Sequence, residues 1–219
     1  MQRPRYPITT LSSILIPVHS GDPNRTETAE YIPGSNLLGV CAGLFETEKE
    51  RKDQDDMFYR WFLEGALRFT NAYIVQGDER SFIHYFPAPL SLRCFRDDPK
   101  SGVDLLGCQG EKLQPVKAHV SGFCRISGEK MCTTAVATSL HFHHERDRET
   151  GSSEKGIIFN YQSIDAGQSF EGSVVGEKSD LEAFLARFGS PNPREIYLGR
   201  SRNAQYGKAE LRLLSSASE

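Results

Sequence analysis

The residues best suited to hold a polyanion are gathered in one stretch, Tyr197-Leu-Gly-Arg-Ser-Arg-Asn-Ala-Gln-Tyr-Gly-Lys-Ala-Glu-Leu211. Gly199 and Gly207 bracket Arg200, Ser201, Arg202, Asn203, Gln205 and Tyr206, Lys208 follows at once, and no acid lies between Gly199 and Ala209. Glycine at both ends opens backbone conformations closed to other residues and lets the chain approach a ligand closely. Guanidinium forks bind phosphate bidentately. Asn203 and Gln205 can reach ribose hydroxyls or base edges, and the Tyr206 ring can stack on a base or buttress the loop. From Arg194 to Arg212 five bases face two acids, so this segment carries +3 in a chain of net charge -3. That is a local footprint for a polyanion. The plain alternative is an ordinary basic hairpin loop, and residue types alone do not choose between them. The phosphate-binding pattern GxxxxGK[ST] is absent.

His141-Phe-His-His-Glu-Arg-Asp-Arg148 is a second candidate. On a strand, His141, His143, Glu145 and Asp147 share one face, and His144, Arg146 and Arg148 the other. A metal site would need a second ligand cluster, which the sequence lacks. An imidazole titrating near neutrality suits acid–base cleavage of RNA through a 2′-hydroxyl. The reading favoured by Arg146, Arg148 and Lys155, set in a Gly/Ser-rich loop, is a basic contact stretch that orders on RNA. Asp22 sits in His-Ser-Gly-Asp-Pro-Asn, a turn-forming context. Trp61 with Phe58, Tyr59 and Phe62 reads as core packing or a subunit contact, with nucleobase stacking the minority alternative.

These side chains must be positioned by a 219-residue chain, 38% hydrophobic and 25% charged, which is long enough to bury a core. The weak net charge confines any nucleic-acid affinity to a local patch. No apolar run approaches the ~20 residues that span a bilayer, and the N-terminal apolar stretch reads as a strand rather than a signal peptide. Five scattered cysteines, at 41, 94, 108, 124 and 132, form a reduced-thiol pattern consistent with a cytoplasmic protein. No cofactor is expected and no metal site; Cys94 and Cys108 are single.

Periodicity predicts a strand over 9–18, a helix capped by Ser35, a short helix over 56–63 and a strand over 67–75. Further strands are predicted at 90–95, 116–124, 136–144, 156–161 and 169–176, with 96–115 irregular and 145–155 a polar loop. The clearest helix is 179–188, with a Ser179/Glu182 capping box and a stop at Gly189. Short strands at 195–198 and 208–213 flank the glycine-bracketed loop. This order predicts an α+β fold: a ferredoxin-like (RRM-like) core with an antiparallel sheet, one domain over 1–219, and a long β-rich insertion at about 76–155.

Tyr31-Ile-Pro-Gly-Ser35 with Leu38-Gly39, together with the Gly199–Gly207 loop, resembles the RAMP superfamily of CRISPR-associated proteins. Arg-Phe-Thr-Asn-Ala-Tyr-Ile-Val (68–75), Phe-Pro-Ala-Pro-Leu-Ser-Leu-Arg-Cys-Phe-Arg (86–96) and Gly-Ile-Ile-Phe-Asn-Tyr-Gln-Ser-Ile-Asp-Ala-Gly-Gln-Ser-Phe-Glu-Gly (156–172) narrow the likeness to the RAMP subunit of type III-D effectors that caps the crRNA 5′ handle. The resemblance runs over nearly the whole chain. It implies a ferredoxin-like fold and a non-catalytic, antiviral role in an effector ribonucleoprotein. The implied partners are crRNA, backbone RAMP subunits, the large signature subunit and, through the complex, target RNA. Gly34 and Ser35 would add an anion site at a helix N-terminus. Members of this group are often longer, with a second ferredoxin-like unit; this chain stops soon after one unit's final strand. Backbone-type relatives cut target RNA with an aspartate near the first strand, which makes Asp22 the candidate for the alternative, an endoribonuclease. The His141–His144 cluster is the candidate for crRNA processing.

Overall fold

The structure, a computed structural model, describes residues 3–18, 24–47, 55–78, 81–95, 97–98, 100–107, 116–128, 130–146, 153–190, 192–200 and 205–215. In chain order the elements are β1 (Arg5–Thr10), β2 (Pro17–Val18), β3 (Arg25–Thr28), α1 (Gly34–Thr47), α2 (Asp55–Phe58, continuing as a π-turn over Tyr59–Leu63) and β4 (Arg68–Phe69). Next come β5 (Tyr73–Gln76), β6 (Ile83–His84), β7 (Phe86–Pro87), β8 (Leu92–Phe95), β9 (Gly102–Asp104), β10 (Val116–His119), β11 (Phe123–Ser127) and β12 (Lys130–Thr134). The chain ends with β13 (Thr138–Arg146), β14 (Ser153–Ile164), β15 (Ser169–Val175), α3 (Lys178–Phe188), β16 (Arg194–Tyr197) and β17 (Lys208–Leu211). The fold is α+β with mostly antiparallel sheets. The chain divides into two compact units, Met1–Ala72 with Ala137–Glu219, and Tyr73–Val136.

In the first unit the strands run β16-β17-β1-β15-β4, all antiparallel. Tyr6 and Ile8 of β1, Phe170 and Val174 of β15, and Ala209 and Leu211 of β17 are buried. Alternation of apolar and polar residues along these strands supplies a half-buried sheet face. Leu37, Cys41 and Phe45 recur at i+4 on α1, and Leu181, Phe184 and Phe188 form the buried face of α3. Phe45 makes edge-on ring contacts with Trp61 and Phe62, and Trp61 another with Phe184. The aromatic cluster is therefore core packing, except that Tyr59 is exposed. A second sheet, β13-β14-β3-β2, contains the long β13–β14 hairpin and a parallel β14–β3 pair.

Several sequence expectations shift. The first strand is Arg5–Thr10 rather than 9–18, because Leu11 to Ser13 turn to meet β17: the Leu11 and Ser12 N–H groups both donate to Lys208 O. The predicted 67–75 strand breaks at Thr70–Ala72 into β4 and β5. The strand expected at 116–124 splits into β10 and β11, and β9 stands within the stretch read as irregular. α1 begins at Gly34, so Ser35 is inside the first turn and is not the cap. The α3 capping box does not form. Glu177 occupies the N-cap with no side-chain bond, and the first turn is held instead by Asp180. Buried Asp180 accepts from Arg60 Nε (3.0 Å) and Nη2 (2.8 Å) and from Trp61 Nε1 (3.1 Å). Arg60 beside it holds its carboxyl below the usual carboxylate range. β13 and β14 reach Arg146 and Ser153, farther than expected; 147–152 lie outside the described residues.

In the second unit, β5–β6 form a hairpin, β10-β8-β9 one small sheet and β12-β11-β7 another. Leu92, Val120, Cys124 and Met131 form its core cluster. Among the described residues no helix is long and apolar enough to cross a membrane, and no group of three or more His, Cys, Asp and Glu gathers as a metal site.

Candidate nucleic-acid interface

Both ends of the glycine-bracketed loop are tied to the segment after β1. Gly199 has φ 75° and Gly207 φ 96°, in the left-handed region that side chains other than glycine rarely adopt. A Cβ on Gly199 would be driven into the carbonyl of Leu15. Glycine is required there because the next residue, Arg200, donates its N–H to that same Leu15 O at 2.8 Å. At the other end Gly207 donates to Ser13 O (2.8 Å) and Lys208 N–H to Ser12 Oγ (2.9 Å). The loop's stems are thus fixed by backbone bonds, while the Arg200 side chain is exposed. Its guanidinium carbon lies 5.9 Å from the Tyr161 ring centroid, within cation–π range. Tyr161 comes from β14.

Tyr206 is buried, not presented to a ligand. His141 of β13 meets its ring edge-on at 5.6 Å, and burial pushes the phenol upward in pKa. Of the two roles open to it, stacking on a base or buttressing the loop, this geometry serves the second. Lys208 Nζ pairs with Glu195 Oε2 at 2.8 Å, and Tyr197 donates to Glu195 Oε1 at 2.8 Å. Those two hydrogen bonds, Lys208's first, hold the Glu195 carboxyl below its usual range, and Glu195 in turn raises Lys208. Lys208 therefore spends its charge on a neighbour. Gln205 is exposed.

The start of α1 faces the same region. Gly34 is buried, and a Cβ there would meet the Phe69 and Thr70 carbonyls of the β4 segment. Its N–H donates to Asn71 Oδ1 at 3.1 Å. No acid stands in the first turn, so the positive end of the helix dipole is not neutralised from within the helix. Ser35, Asn36 and Gly39 of α1 line one cleft of about 610 Å³ together with Tyr197, Gly199 and Arg200. The structure brings together two features far apart in sequence: the Gly34-Ser35 helix start and the Gly199-Arg200 stem. Asn36, Gly39 and Tyr197 were not anticipated. A signal existed for Gly39, which falls four residues from Ser35 and so lies on the same face of the helix.

The other candidates are placed differently. Asp22, Arg148, Ser201, Arg202 and Asn203 lie outside the described residues. His143 and Arg146 fall in β13 and Lys155 in β14, with their side chains outside the described part. His141 is half-buried beside Tyr206.

No family model matches the sequence, and no curated protein matches it. Solved structures do. A chain of the type III-B Cmr-beta complex bound to cognate target RNA superposes with a TM-score of 0.57 at 12% identity, over 97% of this chain and 97% of that one. A chain of the same kind of complex in its apo state gives 0.55 at 13%, over 98% and 97%. At such identity the likeness is one of fold, end to end. Ser35 of the Tyr31–Ser35 motif meets Gly199 and Arg200 of the Gly199–Gly207 motif at one cleft, in a chain that has the fold of these CRISPR effector-complex chains.

Proposed function

We propose that this chain is a non-catalytic, crRNA-binding subunit of a type III CRISPR effector ribonucleoprotein of III-D kind, seated near the crRNA 5′ handle in a cytoplasmic antiviral complex. The observation that carries this reading is the cleft shared by the α1 N-terminus and the Gly199-Arg200 stem. Strand order supports the ferredoxin-like assignment: β17-β1-β15-β4 is antiparallel, with α1 and α3 as the two crossovers. In this arrangement Arg200 and Arg202 neutralise phosphates, Asn203 and Gln205 contact sugar or base, and Ser35 with the first-turn N–H groups adds a neutral anion contact. Tyr206 and His141 buttress the loop. Lys208 steadies it through Glu195. The partners are crRNA, backbone RAMP subunits and the large signature subunit, with target RNA reached through the complex.

The test is to purify the tagged protein from its host and sequence the RNA it carries. CRISPR-derived RNAs sharing one 5′ end, lost in the Arg200→Ala/Arg202→Ala double variant, support the assignment. Random RNA stripped by modest salt overturns it. The rival, an endoribonuclease, is favoured by one observation: His141 stands at the base of the loop. It predicts that His143→Ala or Asp22→Asn loses cleavage and keeps binding, whereas a binding subunit has no cleavage to lose.

A further inference from the structure

The Tyr73–Val136 unit carries an unfinished sheet edge. β12 covers one side of β11 from Phe123 to Ser127. On the other side β7 pairs only with Phe123 and Cys124. The chain then leaves: Tyr85 sends its N–H to Ile74 O, and His84 and Ile83 pair with Val75 and Gln76 of β5. Among the described residues no strand pairs with Arg125–Ser127 on that side. A groove of about 470 Å³ lies between residues 82–89 and this half of β11.

The walls of the groove have a pattern. Side chains alternate along a strand and paired residues share a face. Phe86, Cys124 and Ile126 therefore stand on one face of the sheet, and Arg125 on the other. Phe86 is 59% and Ile126 60% exposed. Arg125 is exposed and has no ion-pair partner among the described residues. Exposed edges invite strand addition, and apolar edges are usually blunted by charge or cover; among the described residues that line this groove no acid stands, and Arg125 supplies a cation on the opposite face of the strand.

We propose that this groove binds an extended segment of a partner protein by strand addition to Arg125–Ser127, the segment alternating apolar residues with acidic ones. An added strand repeats the period-2 pattern of its neighbour. Its apolar residues lie beside Ile126 and Phe86, and its carboxylates lie beside Arg125. This surface is independent of the RNA reading.

The experiment uses the full chain and a fluorescein-labelled peptide of threonine, then alternating valine and glutamate, then threonine. Anisotropy gives affinity, and amide hydrogen exchange locates binding. The expected result is binding with slowed exchange at Ile126, whose N–H is the one among Arg125–Ser127 that faces the open edge, the other two facing β12. Replacing glutamate by lysine in the peptide weakens binding roughly tenfold, and Arg125→Glu reverses that preference. A peptide N-methylated on alternate amides does not bind. Both Arg125 and Ile126 are exposed, so Arg125→Glu and Ile126→Glu leave the fold intact. No binding, equal binding of the lysine or N-methylated peptide, or displacement by an oligoribonucleotide overturns the proposal. So does concentration-dependent self-association that Ile126→Glu removes, because the occupant is then a second copy.

Discussion

Two exposed arginines sit in opposite surroundings. Arg200 has its backbone N–H locked to Leu15 O and its guanidinium over the Tyr161 ring. Around it are a helix start, two glycines of positive φ and hydroxyl or amide side chains. Arg125 stands on the half of β11 that, among the described residues, no strand pairs on its outer side, on the face opposite exposed Phe86 and Ile126. The same cation therefore reads differently. In the first place backbone geometry fixes where the charge points, which suits a ligand whose charge repeats at fixed intervals. In the second, apolar area and free backbone groups dominate, which suits a polypeptide. Charge alone does not identify a partner; what holds the charge does.

The largest effect should come from breaking what fixes Arg200. Gly199→Val forces a branched side chain into the left-handed region and against the Leu15 carbonyl. The cost is roughly 2–4 kcal/mol of stability, and RNA retained by the purified complex falls to background. Because the Arg125 groove depends on none of these residues, peptide binding there should persist in whatever fraction stays folded. Loss of both functions together at a temperature where the variant is folded would erase the distinction between the regions.

Asp180→Ala comes next. It strips the first turn of α3 of its anchor and leaves Trp61 Nε1 buried without its acceptor. Because Arg60 is half exposed, the loss is expected at about 2–3 kcal/mol rather than at the top of the range for buried pairs. The sign with pH follows from the depressed carboxyl. Stability from the Arg60–Asp180 pair is complete above the unfolded carboxylate pKa near ~3.9 and is lost as pH falls through the lower folded value. Thermal melts from pH 5 downward should converge for wild type and Asp180→Asn at the acid end. Parallel curves would show that the pair contributes nothing through its charge.

How much of this was legible beforehand varies with the range of the interaction that decides it. Local signals carried the elements: the Leu181–Phe184–Phe188 spacing located α3, and alternation located β13, β15 and β17. The Gly199–Gly207 bracket was legible because glycine is the residue that adopts positive φ without steric cost, as both do here. What failed was settled by distant partners. Ser179 looks like a cap, but Asp180, one residue on, is claimed by Arg60 and Trp61, which are 120 and 119 positions away. Tyr206 looks like a stacking platform, but β13 supplies His141 to cover it. Lys208 looks free until β16 brings Glu195 beside it. Each is a place of the right chemistry whose role is decided by an element that only the tertiary fold brings near.

The smallest predicted effect sharpens the comparison most. Tyr161→Leu keeps an apolar side chain on β14 but removes the ring beneath Arg200, leaving that guanidinium as unsupported as Arg125. A cation–π contact at an exposed site is worth about 0.5–1 kcal/mol, so RNA affinity should weaken roughly two- to fivefold with the salt slope unchanged, because the number of phosphates neutralised is the same. Arg200→Ala, by contrast, should reduce the slope itself by about one. Measuring affinity against salt for both variants separates the charge from its aim. A Tyr161→Leu protein with wild-type affinity would mean that the loop stems orient Arg200 without the ring, and that the difference between the two arginines resides in the backbone alone.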